Sequence, residues 1–263
     1  MDWLVDMVFL LLIGLSAGVL AGLLGIGGGL VIVPALSWLL VNNGAPLETA
    51  LPIAVATSLG TMLMTSASAI WFHDRRDGVD WICVGRLAPS VALGALAGGW
   101  LAARLPGEQL AVVFAVLAGT IGLRMLLLNR PANPAITPFP RGWWAAGPLI
   151  GLLSAVMGIG GGSFNVPYLA RNGYPMVRAV AIASTCGWPI ALGGVIGFAL
   201  APPASTLWPQ TLGFCYWPGW LLIGMGGVIA APLGVAWAHR LPAMPLKRLF
   251  GAMLILVAIR MVW

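Results

Sequence analysis

The stretch Gly25–Pro34, GIGGGLVIVP, returns 133 residues later as Gly158–Pro167, GIGGGSFNVP, with seven of ten positions identical. In each copy four of the first five residues are glycine, and each glycine inside a helix costs about 1 kcal/mol relative to alanine. Both copies nevertheless lie within long apolar runs. The repeated stretch therefore predicts two helices that are interrupted in an apolar environment.

The composition identifies that environment. Of 263 residues, 60% are hydrophobic and only 8% are charged, against about 25% charged in an ordinary soluble domain. Residues 49–72 and 179–217 contain no charge at all, and each run exceeds the roughly 20 apolar residues that cross a bilayer. The sequence predicts an all-α, multi-pass membrane protein. The net charge of +6 has no basic cluster on a soluble domain, so no nucleic-acid partner is expected.

The repeat extends beyond the glycines. Ala54–Gly60, AVATSLG, matches Ala181–Gly187, AIASTCG, and the RLP at residues 104–106 returns at 240–242. Blocks that recur in the same order indicate an internal duplication. We divide the chain into a first transmembrane repeat at 1–130, a proline-rich linker at 131–140 and a second repeat at 141–263.

Each half reads as one glycine-broken segment followed by three ordinary membrane spans. In the first half these spans are predicted at 48–72, 80–103 and 108–128. In the second half they are predicted at 177–200, 217–238 and 246–263.

The broken segments decide the topology. Met7 to Leu47 is a run of 41 residues without a charge, and as one helix it would reach about 60 Å, twice the hydrocarbon thickness. If each broken segment is instead a hairpin that returns to its starting side, the halves are inverted and the basic residues divide nine against one. Arg104 then lies alone on the periplasmic side with both termini. The nine that share the cytoplasmic side are Arg75, Arg76, Arg130, Arg141, Arg171, Arg178, Arg240, Lys247 and Arg248. Full crossing would divide the same residues four against six, so the positive-inside rule favours a two-fold inverted repeat.

Inverted repeats with discontinuous helices are typical of secondary transporters, with the substrate near the repeat interface. Helix N-termini offer unpaired N–H groups and the positive end of a dipole to an anion. The helical arms Leu30–Leu40 and Ser163–Ala170 begin directly after the glycines. The predicted substrate-binding glycines are Gly25, Gly27, Gly28, Gly29, Gly158, Gly160, Gly161 and Gly162. The alternative is that the glycines only allow helices to cross closely.

Polar side chains add to this prediction. Ser163 and Asn165 stand where the first copy has Leu30 and Ile32, which makes the site asymmetric. Hydroxyl pairs occupy equivalent positions in the two copies, and we count them as candidate anion donors. They are Thr57, Ser58, Ser184 and Thr185. The alternative is that these hydroxyls bond back to carbonyls of their own helices.

Other chemistries have little support. None of the seven acidic residues falls in mid-span, so neither a metal site nor a carboxylate proton relay is predicted, and no cofactor is expected. His73 and His239 are predicted in solvent or headgroups. An enzyme needs a nucleophile beside a base. The spans contain Ser, Thr and Cys side chains but no His, Asp or Glu near them that could act as the base. The cysteines do not have the spacing of a metal site.

Several properties are not decided by the sequence. They are the exact solute, for which a cation or an amino acid is the alternative to an anion, the direction of transport, the coupling ion, the choice between monomer and homodimer, and whether Cys186 contacts the substrate.

The paired G-x-G-G-G-x-x-x-x-P segments, the length and the four-plus-four hydrophobic segments resemble the sulfite exporter TauE/SafE family, also called the toluene sulfonate uptake permease family. The resemblance covers nearly the whole chain. It implies a transporter of the bacterial inner membrane that moves sulfite, organosulfonates, sulfoacetate-like compounds or short carboxylates. The family's glycine segments fall on Gly25–Pro34 and Gly158–Pro167.

Overall fold

The computed structural model describes residues 3–24, 27–75, 79–127, 140, 142–202, 208–238 and 243–262. These residues form ten α-helices and one two-stranded β-ribbon. The first half contributes α1 (Trp3–Leu24), α2 (Gly29–Asn42), α3 (Leu47–Asp74), α4 (Trp81–Ala102) and α5 (Gly107–Leu127). The second half contributes α6 (Trp143–Val156), α7 (Gly162–Arg171), α8 (Met176–Leu200), β1 (Thr211–Leu212), β2 (Cys215–Tyr216), α9 (Trp217–Ala238) and α10 (Ala243–Val262).

The helix pattern confirms a polytopic all-α membrane protein. Within the described residues, six helices are long and apolar enough to cross a membrane. They contain the stretches Leu4–Leu23, Glu48–Asp74, Trp81–Ala102, Gly107–Leu127, Met176–Leu200 and Trp217–Gly234. The six predicted ordinary spans coincide with α3, α4, α5, α8, α9 and α10, and only α10 begins more than one residue away from its predicted start. The proposed linker at 131–140 lies outside the described residues except for Pro140.

The first broken segment folds back on itself. The Asn43 side-chain amide, just after the end of α2, donates to the carboxylate of Asp6 in the first turn of α1, over 3.2 Å. Further along the same two helices the rings of Phe9 and Trp38 pack with their centroids 5.8 Å apart. The start of α1 therefore lies beside the end of α2, as in a hairpin.

Glycines set the helix packing. A Cβ at Gly14 of α1 would lie 2.5 Å from the carbonyl oxygen of Ile223 in α9, and a Cβ at Gly98 of α4 would meet the backbone of Leu152 in α6. Helices of one half thus pack directly on helices of the other. Such close backbone approach is how helices associate in lipid, where burial of apolar surface gives no driving force.

Equivalent helices of the two halves run in opposite directions where they touch. Leu59 and Ser66 of α3 lie against Gly194 and Gly187 of α8, so higher numbers on one helix meet lower numbers on the other. The α5 and α10 pair behaves alike, because Gly119 lies near Ala258 while Gly122 lies near the backbone of Gly251. The α3 and α8 pair forms the centre of the bundle, with two-thirds of each span buried.

The β-ribbon is an element that the sequence analysis did not predict. Between α8 and α9 the chain turns back at Gly213, and Thr211 pairs with Tyr216 in antiparallel register. The ribbon enters the bundle far enough for the backbone N–H of Tyr216 to donate to Thr57 Oγ1 over 2.9 Å. It lies at the face of the protein where α3 begins and α8 ends, which we call the ribbon face.

Candidate functional site

Each helical arm begins at a glycine in the left-handed conformation. The N-cap of α2 is Gly28, with φ 72°, and the N-cap of α7 is Gly161, with φ 62°. These residues are equivalent in the repeat, and a side chain is strained at such angles. Neither helix has a side-chain N-cap, so no side chain of the cap residue competes for the N–H groups of its first turn.

The two glycine segments touch one another. A Cβ at Gly27 would lie 2.8 Å from Cα and 3.0 Å from N of Gly160, its equivalent in the other half. A Cβ at Gly29 would collide with the carbonyl oxygen of Gly158. The Ser58 hydroxyl donates to that same carbonyl over 2.8 Å. We call the region formed by Gly27, Gly29, Gly158 and Gly160 the glycine contact.

A small cavity of about 20 Å³, with room for about one water molecule, lies against the glycine contact on one side. Gly27 and Gly160 line its inner end together with Ser184 of α8, while Thr65 and Ser66 of α3 line its wall. His73, near the C-terminal end of α3, lies at its outer end. The pocket therefore opens on the side where α3 ends, opposite the ribbon face, and we call that side the pocket face. His73, predicted in solvent or headgroups, is partly buried and belongs to the pocket wall.

The backbone around Gly160 offers donors. The N–H of Gly161 bonds to the carbonyl of Ile159 and that of Gly162 to the carbonyl of Gly160, the latter over 2.6 Å. The N–H groups of Gly160 and Ser163 have no backbone acceptor among the described residues. These two N–H groups, one at the pocket wall and one in the first turn of α7, are the donors that the described backbone leaves for an anion.

The candidate hydroxyls differ in their bonding. Ser184 lines the pocket. Thr57 and Thr185 donate to carbonyls of their own helices, those of Ile53 and Ala181, over 2.7 and 2.9 Å. Ser58 is committed to the glycine contact. Of the four predicted hydroxyls, the structure therefore brings only Ser184 to the pocket.

Ser163 and Asn165 lie behind the glycine contact and not in the pocket wall. Asn165 is fully buried, yet neither its amide nitrogen nor its amide oxygen has a hydrogen-bond partner in the part of the chain that the structure describes. The hydroxyls of Ser163 and of Ser154, at the end of α6, are also buried and unpartnered. A Cβ at Gly161 would lie 3.0 Å from Asn165 Nδ2 and 3.7 Å from Ser154 Oγ, so these two side chains flank the N-cap of α7. A buried polar group without a partner costs about 1–3 kcal/mol.

Several residues of the site were missed by the sequence analysis. Thr65 and Ser66 repeat the Thr57 and Ser58 pair eight residues later on the same helix, a spacing of about two turns that places both pairs on similar faces. This repeated Thr-Ser pair is visible in the sequence and could have predicted Thr65 and Ser66. Ser154 could not be predicted from the repeat, because its equivalent in the first half is Ala21. Gly25 and the basic residues Arg76, Arg130, Arg141 and Arg240 lie outside the described residues.

The buried polar side chains of the described residues are all neutral. They are Ser, Thr and Asn residues, without a buried carboxylate or guanidinium. Among these residues there is also no group of three or more His, Cys, Asp or Glu side chains able to hold a metal ion. Apart from the His73 imidazole at the outer end of the pocket, the described residues present backbone, hydroxyl and amide groups to a solute.

Comparison with known proteins agrees with this architecture. The profile of the sulfite exporter TauE/SafE family matches residues 10–261. A probable membrane transporter protein of Haemophilus influenzae is 34% identical over 255 residues, which cover 95% of this chain and 96% of that protein. Probable membrane transporter proteins of Methanocaldococcus jannaschii and of a Sinorhizobium species are 26% and 27% identical, over 88% and 96% of this chain and 84% and 91% of theirs. No solved structure gives a significant match. The chain therefore belongs to the sulfite exporter TauE/SafE family of multi-pass membrane transporter proteins.

Proposed function

We propose that the protein is a secondary transporter of the bacterial inner membrane that moves a small oxyanion by alternating access. The solute class is sulfite, organosulfonates, sulfoacetate-like compounds or short carboxylates. The observation that carries the proposal is the glycine contact. The glycine segments at the starts of α2 and α7, each with a left-handed glycine N-cap, touch one another through Gly27 and Gly160 beside a small pocket.

The chemistry of this site favours an anion. Each helix N-terminus carries roughly half a positive charge, so the start of α2 and the start of α7 together match a monoanion. The N–H of Gly160, which has no backbone acceptor among the described residues, and the hydroxyl of Ser184 supply hydrogen bonds from the pocket wall. A cation would find no carboxylate among the buried side chains of the described residues, and this disfavours the rival cation reading.

Ser163 and Asn165 belong to the same proposed site. They lie in the first turn of α7 with unpartnered polar atoms, and an Asn amide and a Ser hydroxyl each donate to an oxyanion without the desolvation cost of a charge. We place them behind the glycine contact, where they reach the solute as it passes between the halves. Thr57, Ser58 and Thr185 hold the surrounding backbone.

The two-fold inverted repeat is part of the proposal. It is supported by the opposite directions of α3 and α8, and of α5 and α10, since helices that are equivalent in the two halves run antiparallel only if the halves are inverted. The hairpin of α1 and α2 supports it also. The positive-inside rule then places the pocket face in the cytoplasm and the ribbon face in the periplasm.

A binding screen of the purified protein tests the function. Sulfite, sulfate, methanesulfonate, sulfoacetate and acetate are compared by thermal shift and calorimetry, with dimethyl sulfone as the neutral counterpart of methanesulfonate. We expect at least one oxyanion to bind and to exchange across proteoliposomes, while dimethyl sulfone binds at least tenfold more weakly because it lacks the charge. Equal binding of methanesulfonate and dimethyl sulfone, or preferential binding of a cation, would contradict the anion site.

A further inference from the structure

The repeat gives each pocket residue an equivalent in the other half. Ser184 and Gly187 of α8 line the pocket, and their equivalents in α3 are Thr57 and Gly60. In an inverted repeat the equivalents of wall residues that lie away from the shared glycine contact face the opposite side of the membrane. Thr57 and Gly60 therefore mark where a second pocket would lie, on the ribbon face.

That position is covered. The backbone N–H of Tyr216 donates to Thr57 Oγ1 over 2.9 Å, and Gly219 packs on the methyl group of Thr57. A Cβ at Gly60 would lie 3.0 Å from the Trp220 ring and 3.4 Å from Cys215 Sγ. The ribbon and the first turn of α9 thus fill the space that is equivalent to the small pocket beside Ser184 and Gly187.

The cover contains an unused donor. Trp220 Nε1 is buried and has no hydrogen-bond partner among the described residues, and it would lie 3.4 Å from a Cβ at Gly60. An indole N–H only donates, and leaving it unpaired costs about 1–3 kcal/mol. Phenylalanine would fill most of the same apolar space without that cost.

We propose that Thr57, Gly60 and Trp220 form a second anion-binding position, which the ribbon covers in this conformation and which opens to the ribbon face when Tyr216 leaves Thr57. The Trp220 N–H donates to the oxyanion there. This inference rests on the proposed transport function. It adds a ligand position, a donor and a moving element to the path on the side opposite the pocket.

Sided transport measurements test it. Right-side-out and inside-out membrane vesicles present opposite faces of the protein to the external medium. Radiolabelled sulfite is added outside each kind of vesicle, and radiolabelled sulfoacetate replaces it if the binding screen selects that anion. We expect Trp220→Phe to raise the half-saturating concentration at the ribbon face about tenfold, as for loss of a hydrogen bond to a charge, and to change it less than twofold at the pocket face. Ser184→Ala should do the reverse.

The control is Trp217→Phe, which makes the same exchange at an exposed position of the same helix. Equal effects of Trp220→Phe at both faces, no effect at either, or the same effect from Trp217→Phe would overturn the second position. If the wild type moves none of the oxyanions of the binding screen, the proposed function fails as well. If the wild type transports the anion and Trp220→Phe has the same half-saturating concentration at both faces, only the second anion-binding position is refuted.

A second measurement covers the case in which Trp220→Phe does not fold. Burial raises the pKa of the Cys215 thiol to about 11, so at pH 8 it is protonated and reacts slowly with maleimides. In a Cys83→Ala, Cys186→Ala background, Thr57→Val removes the acceptor of the Tyr216 N–H. We expect alkylation of Cys215 by an impermeant maleimide from the ribbon face to accelerate at least tenfold. An unchanged rate would show that this hydrogen bond does not hold the cover.

Discussion

The two glycine-broken segments share a motif but differ in what surrounds it. In the first half, α1 and α2 are 22 and 14 residues long, and Leu30 and Ile32 fill the core behind the glycines. In the second half, α6 and α7 have 14 and 10 residues, and the corresponding positions hold Ser163 and Asn165 without hydrogen-bond partners. The first half keeps the apolar packing of a scaffold. The second half accepts a stability cost at the same place, which is typical of a functional site.

The comparison of the two halves assumes that they have inverted orientations in the membrane. Measuring the membrane topology is therefore its first test. Single cysteines at Asp2 and Asn133 should react with an impermeant maleimide from opposite faces of the membrane. The contrast should be all or none, because three crossings separate these positions when the first broken segment returns to its starting side and four when it crosses fully. Asp2 is expected in the periplasm and Asn133 in the cytoplasm. Labelling of both from one face would refute the inverted arrangement.

The N-cap glycines give the next largest effect. Gly28→Val and Gly161→Val should abolish transport while some folded protein reaches the membrane, because both residues have positive φ and a branched side chain is strained there. The alanine variants at these two positions should differ in stability. A Cβ at Gly28 meets the Ala17 carbonyl at 2.9 Å, whereas at Gly161 it meets the movable tip of Ile190. Gly28→Ala should therefore lower the melting temperature more than Gly161→Ala.

The matched control for these variants is Gly85→Ala in α4. A Cβ there has nothing within 4 Å, and alanine favours a helix by about 1 kcal/mol over glycine. This protein should be as active and at least as stable as the wild type. Transport at the normal rate by either valine variant would instead favour the reading in which the glycines serve only for helix packing.

How far the sequence predicts this molecule depends on the kind of signal. Apolar runs bounded by charges and prolines located the ordinary spans to within a few residues, and the duplicated glycines located the contact between the halves. The ribbon was not predicted, because its strands are only two residues each and period-two alternation needs four or more. Hydroxyl pairs could not be ranked either, because the partner of Ser58 lies 100 residues away.

Exchange of the asymmetric residues sharpens the comparison by separating stability from binding. Asn165→Leu removes two buried unpartnered atoms, so it should stabilise the protein by about 1–2 kcal/mol and weaken anion binding by a similar amount. Ile32→Asn should destabilise it by about 2–4 kcal/mol and add no affinity, because it buries a new polar group in the scaffold half. Tryptophan fluorescence melts in detergent and calorimetric titration measure the two quantities. Loss of stability in Asn165→Leu would mean that the amide has a structural partner.

The smallest expected effect concerns equivalent hydroxyls on the two central helices. Ser58 donates across the halves to the carbonyl of Gly158, over 2.8 Å, whereas Thr185 donates to Ala181 within its own helix, over 2.9 Å. Ser58→Ala should cost about 1–2 kcal/mol, because it leaves a buried carbonyl at the glycine contact without this donor. Thr185→Ala should cost about 0.5 kcal/mol or less, since that carbonyl still accepts its helical N–H bond. The same melts measure the difference. Equal costs would show that the hydroxyl of Ser58 does not hold the halves together, and the glycine contact would then rest on backbone packing alone.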